Sequence, residues 1–204
     1  MFNFDIYQLI LKIPVIIIAL TFHEYAHGWV ADRLGDRTAR QYGRLTLNPM
    51  KHLDPIGTLM LFVASFGWAK PVPVNPYNLR VDPKQGMLYV ALAGPLTNAI
   101  LVFIAIAFSA AFSSFITGFV RDFVVMFILI NIVLAVFNMI PIPPLDGSRI
   151  LAGILPGDSE WMYRIEQYGF IILIILIFTG PIRILFDKVI YPLLMIALKM
   201  ANLI

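Results

Sequence analysis

The sequence predicts an all-α polytopic membrane protein, a helical bundle of about five transmembrane spans, and three observations carry that reading. The 204 residues are 60% hydrophobic and 13% charged, where soluble domains are about 45–50% apolar and about 25% charged. Mean hydropathy is +0.85. Three apolar stretches are long enough to cross the roughly 30 Å hydrocarbon core of a bilayer as helices. The positive charge is also segregated: eight of the fifteen Lys and Arg lie between Ala31 and Gln85. That asymmetry puts this segment on the cytoplasmic side of the membrane, with the N-terminus outside.

The same numbers bound the organisation. Little polar sequence is left over for a soluble module, so residues 1–204 read as a single membrane-embedded domain. A net charge of +3 without stacking aromatics among the basic residues excludes a nucleic-acid partner. The chain has no cysteine, which removes disulfides and thiolate metal sites. No basic n-region or small-residue cleavage site precedes the first apolar run, which is expected to be retained.

The first span is expected over about 6–30, with Pro14 inside it, tolerable in lipid. The polar region that follows contains Ile56–Trp68, apolar but too short to cross a bilayer. With its flanks, about 41–75, it reads as a re-entrant or interfacial segment. The flanks Gln41–Leu47 and Ala69–Val74 alternate polar with apolar and carry Gly and Pro, as edge strands do. They predict a small sheet there; simple loops fit the pattern equally well. Such an edge, with Pro71, Val72 and Pro73 on it, could take an extended peptide as an added strand.

A second span is expected over about 86–112. Its small residues Ala91, Ala93 and Gly94 permit close helix approach, and Asn98 in mid-span needs a polar partner. Asn98 is either interhelical glue or a site-lining group. The third span, about 123–140, runs into Asn138 and then Pro141-Ile-Pro143-Pro144-Leu145-Asp146-Gly147. Prolines at this density cannot continue a helix, and irregular backbone at membrane depth survives only inside protein or beside a watery cavity. The C-terminal stretch, about 168–204, is apolar and fits a pair of short antiparallel spans.

Chemistry concentrates at His23-Glu24-Tyr25-Ala26-His27. Ionisable side chains within an apolar span are costly and mark function. On a helix, His23 and His27 lie one turn apart on one face and can grip one metal ion, while Glu24 stands near enough to deprotonate a bound water. A catalytic zinc takes three protein ligands. The metzincin pattern fails because Arg33 occupies the third-ligand position, and no Glu follows before Glu160. Asp146, at the same end of the third span as His27 is of the first, is the expected third ligand.

Together these motifs resemble the site-2 protease family of intramembrane zinc metalloproteases. His23–His27, Ala93–Asn98 and Asn138–Gly147 match its core motifs in order. Leu47–Gly57 and Gly67–Val74 are similar to its small bacterial and archaeal branch. The chain departs from larger relatives in having no PDZ insertion between the second and third spans. The resemblance implies one catalytic Zn²⁺ and hydrolysis of peptide bonds in or near the transmembrane segments of a membrane-protein substrate, with the bilayer as its surroundings. In that scheme Glu24 is general base and then general acid, and Asn138 is an oxyanion donor, its bland alternative being a helix cap. His52 would either approach the site or bond the backbone ahead of the Pro55 helix start. Two rivals remain at this stage: a lipid-directed zinc hydrolase, and a non-proteolytic metal transporter or scaffold.

Overall fold

The computed structural model describes residues 6–64, 67–156 and 160–204. Its helices are α1 (Ile6–Arg33), α2 (Thr38–Gln41), α3 (Pro55–Ala64), α4 (Pro83–Ala111), α5 (Gly118–Phe137), α6 (Asp146–Ile154), α7 (Glu160–Thr179), α8 (Pro181–Leu185) and α9 (Tyr191–Met200), with a π-helical turn Phe186–Ile190 joining the last two. α1, α4 and α5 are long and apolar enough to span a membrane. The tail, expected as two antiparallel spans, is instead bent by 72° between Ile165–Thr179 and Pro181–Met200. By length and composition the candidate spans among the described residues therefore number three, or four if that bent pair is one.

α4 is the central helix, packed against α1, α5 and α6. Asp82 starts it by accepting the Lys84 and Gln85 N–H groups, with Pro83 at the first helical position. Further along, Val102 and Ile106 of α4, Ile128 and Ile132 of α5, and Ala197 and Leu198 of α9 form the main apolar core. Outward-facing residues such as Phe103 (65% exposed) and Phe178 (85% exposed) stay uncovered. Apolar belts of that kind on several helices are the outer surface of a multi-pass integral membrane protein, where hydrocarbon replaces water.

Among the described residues no strand forms, and the small sheet reduces to one antiparallel bridge, Leu53 with Ala69. The Lys70 N–H donates to the His52 carbonyl at 2.8 Å beside it. Pro71 and Pro73 have no N–H to extend the ladder. Gln41–Leu47 turns rather than pairing: Gly43 adopts φ +64° and the Arg44 N–H donates to the Ala39 carbonyl at 2.8 Å. α3 is the expected short apolar helix, its start closed by the Asp54 carboxylate accepting the Gly57 N–H at 2.8 Å.

α1 stops at Gly35, whose φ of +111° suits only glycine comfortably, and the Asp36 N–H closes the end on the Ala31 carbonyl at 2.9 Å. Asp36 is fully buried. Its carboxylate accepts the Thr38 N–H (3.0 Å) and hydroxyl, the Asn75 N–H (2.7 Å) and the Asn78 side-chain amide (3.1 Å). It thus ties the exit of α1 to the chain entering α4. Burial works to raise this carboxyl, but the bonds from Thr38, Asn75 and Asn78 outweigh it and hold the pKa below the ordinary 3.8.

Asp36→Asn puts an amide against donors and is expected to cost about 2–4 kcal/mol at neutral pH. A depressed folded-state pKa gives stability that is present above the unfolded value and lost as pH falls through the folded one. Thermal unfolding in detergent should show the variant melting roughly 5–15 °C lower at neutral pH, with the gap closing below about pH 4.

Candidate metal centre and catalytic cleft

His23 and His27 sit on one face of α1, 4% and 9% exposed, with their Nε2 atoms 3.0 Å apart. Asp146, the first residue of α6, brings Oδ2 to 3.1 Å from His23 Nε2 and 3.4 Å from His27 Nε2. These three form the one group of His, Asp and Glu side chains among the described residues that could hold a metal ion. Bonds of about 2.0–2.1 Å at tetrahedral angles leave ligand atoms roughly 3.3 Å apart, which this triangle approximates.

The hydrogen bonds behind the ligands decide which atoms carry protons. His27 Nδ1 lies 2.7 Å from the Val90 carbonyl, which can only accept, so Nδ1 bears a hydrogen and the neutral, metal-binding ring has its lone pair on Nε2. For His23 the chain of logic is longer. Asn131 Nδ2 donates to the Phe127 carbonyl, so its Oδ1 faces Asn98. Asn98 Nδ2 then donates to Asn131 Oδ1 (2.9 Å) and the Ala19 carbonyl (3.3 Å). That leaves Asn98 Oδ1 to accept from His23 Nδ1 at 2.7 Å. Backbone carbonyls fix both amide orientations and both imidazole tautomers.

Two imidazole lone pairs and a carboxylate oxygen therefore face one another. Asp146 Oδ2 is buried with no hydrogen bond of its own despite the neighbouring imidazoles. Three acceptors at this spacing repel unless a cation lies among them, and the donor set suits zinc. Close approach of α4 is equally necessary. A Cβ on Gly94 would lie 2.5 Å from both His23 Cε1 and His27 Nε2. On the other side Gly147 is packed so tightly that a Cβ would lie 2.4 Å from the Met139 and Ile140 carbonyl oxygens. Its N–H donates to the Asn138 carbonyl at 2.6 Å. The proline loop thereby folds back on the end of α5 and delivers Asp146.

A cavity of about 280 Å³ opens over this group, lined among others by Glu24, Pro71, Val72, Val74, Asn138, Pro144 and Arg149. Glu24 Oε2 accepts the Val72 N–H at 2.9 Å, so the extended segment 70–74 runs beside the carboxylate. Arg44 clamps that segment from behind, donating to the Lys70 and Pro71 carbonyls at 2.7 and 3.2 Å. Of the expected edge residues, Pro71 and Val72 reach the cavity and Pro73 does not line it. Asn138 lines it, but its Nδ2 donates to the Leu134 carbonyl at 3.0 Å, the capping arrangement. His52 is buried (1% exposed) and its Nε2 pairs with the Thr46 carbonyl at 2.7 Å, outside the cavity lining. Asn98 joins its two expected roles, bridging three helices while holding His23. Asn131, Arg44 and Arg149 were not among the expected site residues. Asn131 carried the signal of a polar group in mid-span, and the other two carried none.

Asn98→Ala removes the acceptor behind His23 and is expected to weaken zinc binding by about 10–100-fold, measured by competition with a chromogenic chelator. Gly94→Ala should reduce zinc binding further by displacing both imidazoles. Retention of wild-type zinc affinity in both variants would contradict the arrangement.

Comparison with known proteins agrees with the geometry. The family model described as Peptidase family M50 matches residues 114–180, a stretch that contains the Asn138–Gly147 motif. The chain is 43% identical over 172 residues to the candidate zinc metalloprotease YwhC of Bacillus subtilis, covering 80% of this chain and 78% of that one. It is 28% identical over 186 residues to the candidate zinc metalloprotease Rip2 of Mycolicibacterium smegmatis, covering 89% and 72%. A candidate zinc metalloprotease of Methanocaldococcus jannaschii is 32% identical over 151 residues, 73% of each chain. No solved structure matches the chain. The extent and identity of the Bacillus subtilis match, with the family match across the aspartate motif, mean that this chain belongs to Peptidase family M50, the site-2 proteases.

Proposed function

We propose that the protein is a zinc-dependent intramembrane endopeptidase that cleaves peptide bonds in or near the transmembrane segments of membrane-protein substrates. The observation that carries this reading is the meeting of His23, His27 and Asp146 beside Glu24 in one cleft. His23, His27 and Asp146 would hold the zinc. When bound, zinc supplies Lewis acidity toward a carbonyl and lowers the pKa of a water toward neutrality. Glu24 takes the proton from the attacking water and returns it to the leaving amine. Val72 orients this carboxylate through Oε2, leaving Oε1 for the proton. Asn138 can turn its amide from Leu134 toward the developing oxyanion by side-chain rotation.

A helical substrate hides its amides in hydrogen bonds and must be unwound locally. Segment 69–74, held by Arg44 and Glu24, is the support against which an unwound strand can extend. The concentration of basic residues between Ala31 and Gln85 supports a cleft toward the cytoplasm and an N-terminus outside. A transporter would distribute ligands along a path across the membrane. Here the ligands form one cluster with a carboxylate base beside it, which favours hydrolysis.

Glu24→Gln in purified protein is expected to keep one zinc per chain and lower cleavage of a single-span substrate by about 10²–10⁴-fold. A chelator should abolish wild-type cleavage and added zinc should restore it. Undiminished proteolysis by the Gln variant would overturn the mechanism. Substrate spans containing Gly-Pro should be cut faster than spans of Leu and Ala alone, measured as initial rates in the same detergent.

A further inference from the structure

We infer that a second cavity adjoining the catalytic cleft is a substrate subsite for a carboxylate, read by Arg149. The inference rests on the endopeptidase reading and deepens it. The second cavity has a volume of about 490 Å³ and shares Val74, Met87 and Arg149 with the catalytic cavity, so the two form one trough.

Helical periodicity explains the continuity. Along α4, Lys84 and Met87 precede Val90, whose carbonyl holds His27; along α6, Arg149 and Gly153 follow Asp146. Residues three or four apart share a helix face, so each helix presents one wall running from the ligands outward. Among the described residues lining the catalytic cavity, Arg149 is the only Lys or Arg. Its guanidinium lies 4.0 Å from the Glu166 carboxylate, beyond hydrogen-bonding distance. Its donors therefore remain available for a bidentate contact with an incoming carboxylate, and Glu166 is the competitor that contact displaces.

The rise along α6 places Arg149 about 4.5 Å and Gly153 about 10 Å beyond Asp146. An extended peptide advances about 3.3 Å per residue. The carboxylate is thus carried roughly one to three residues from the scissile bond. It belongs to an Asp or Glu side chain or to a free chain terminus.

The test uses the full chain in detergent and a single-span reporter whose cut bond is located by mass spectrometry. Asp, Asn or Lys is placed one to three positions to either side of that bond, and a truncated reporter ends there as free acid or amide. At one position the Asp substrate should exceed the Asn substrate in kcat/KM by about tenfold. The acid and amide arms tell a terminal carboxylate from a side chain. Arg149→Ala should bring the ratio near one, Arg149→Glu should invert it toward Lys, and Glu166→Gln should increase it. Zinc content reports that each variant is folded. Binding of the same labelled peptides to zinc-loaded protein, followed by fluorescence anisotropy, gives the ratio without turnover. Absent cleavage therefore counts against the endopeptidase reading while binding still decides the subsite. An Asp/Asn ratio near one at every position, a wild-type preference for Lys, or a ratio that survives in Arg149→Glu would overturn the subsite.

Discussion

Everything in this fold depends on the contact between α1 and α4, where two imidazoles are held with their lone pairs inward. Gly94 supplies the room, and Val90 and Asn98 supply acceptors that fix the outward nitrogens as donors. Without those acceptors an imidazole in an apolar bundle would turn its N–H to whatever partner it found. With them, the only groups left facing the interior are acceptors, and Asp146 adds a third. The bundle is thereby committed to a cation at that point before any substrate arrives.

The membrane setting makes such a commitment affordable only because each polar group behind the ligands is paired. Phe127, Asn131, Asn98, Ala19 and His23 form an unbroken chain of donors and acceptors across α5, α4 and α1. The irregular backbone obeys the same rule. The proline loop is closed by the Gly147 N–H on Asn138, and α7 lies against it at Gly169, where a Cβ would lie 2.1 Å from the Pro143 carbonyl oxygen. The Lys70 and Pro71 carbonyls accept from Arg44, and the Val72 N–H donates to Glu24.

Much of this was legible in the sequence because it rests on local signals. The apolar runs gave α1, α4 and α5, the one-turn spacing of His23 and His27 gave a shared face, and the proline run ending at Asp146 marked the third arm. What stayed illegible depends on tertiary contact. Nothing local distinguishes Arg44 or Arg149 from the other basic residues of the chain, since only folding places them on the 70–71 carbonyls or at the trough. The sheet expected from alternating flanks reduced to one bridge because the prolines that punctuate the pattern also lack donors. His52 reads as a site candidate from its rarity, yet folding turns it to the Thr46 carbonyl. The tail's hydropathy reveals that it is apolar but not the bend at Gly180 and Pro181.

Zinc K-edge X-ray absorption on the purified full chain, with metal content from the same sample, interrogates the shared-cation geometry most directly. The account predicts one zinc per chain with two imidazole nitrogens and at least one carboxylate oxygen around it, and loss of the imidazole signature when His23 and His27 are both replaced. Zinc bound without imidazole scattering, or with a signature indifferent to those two residues, would contradict it.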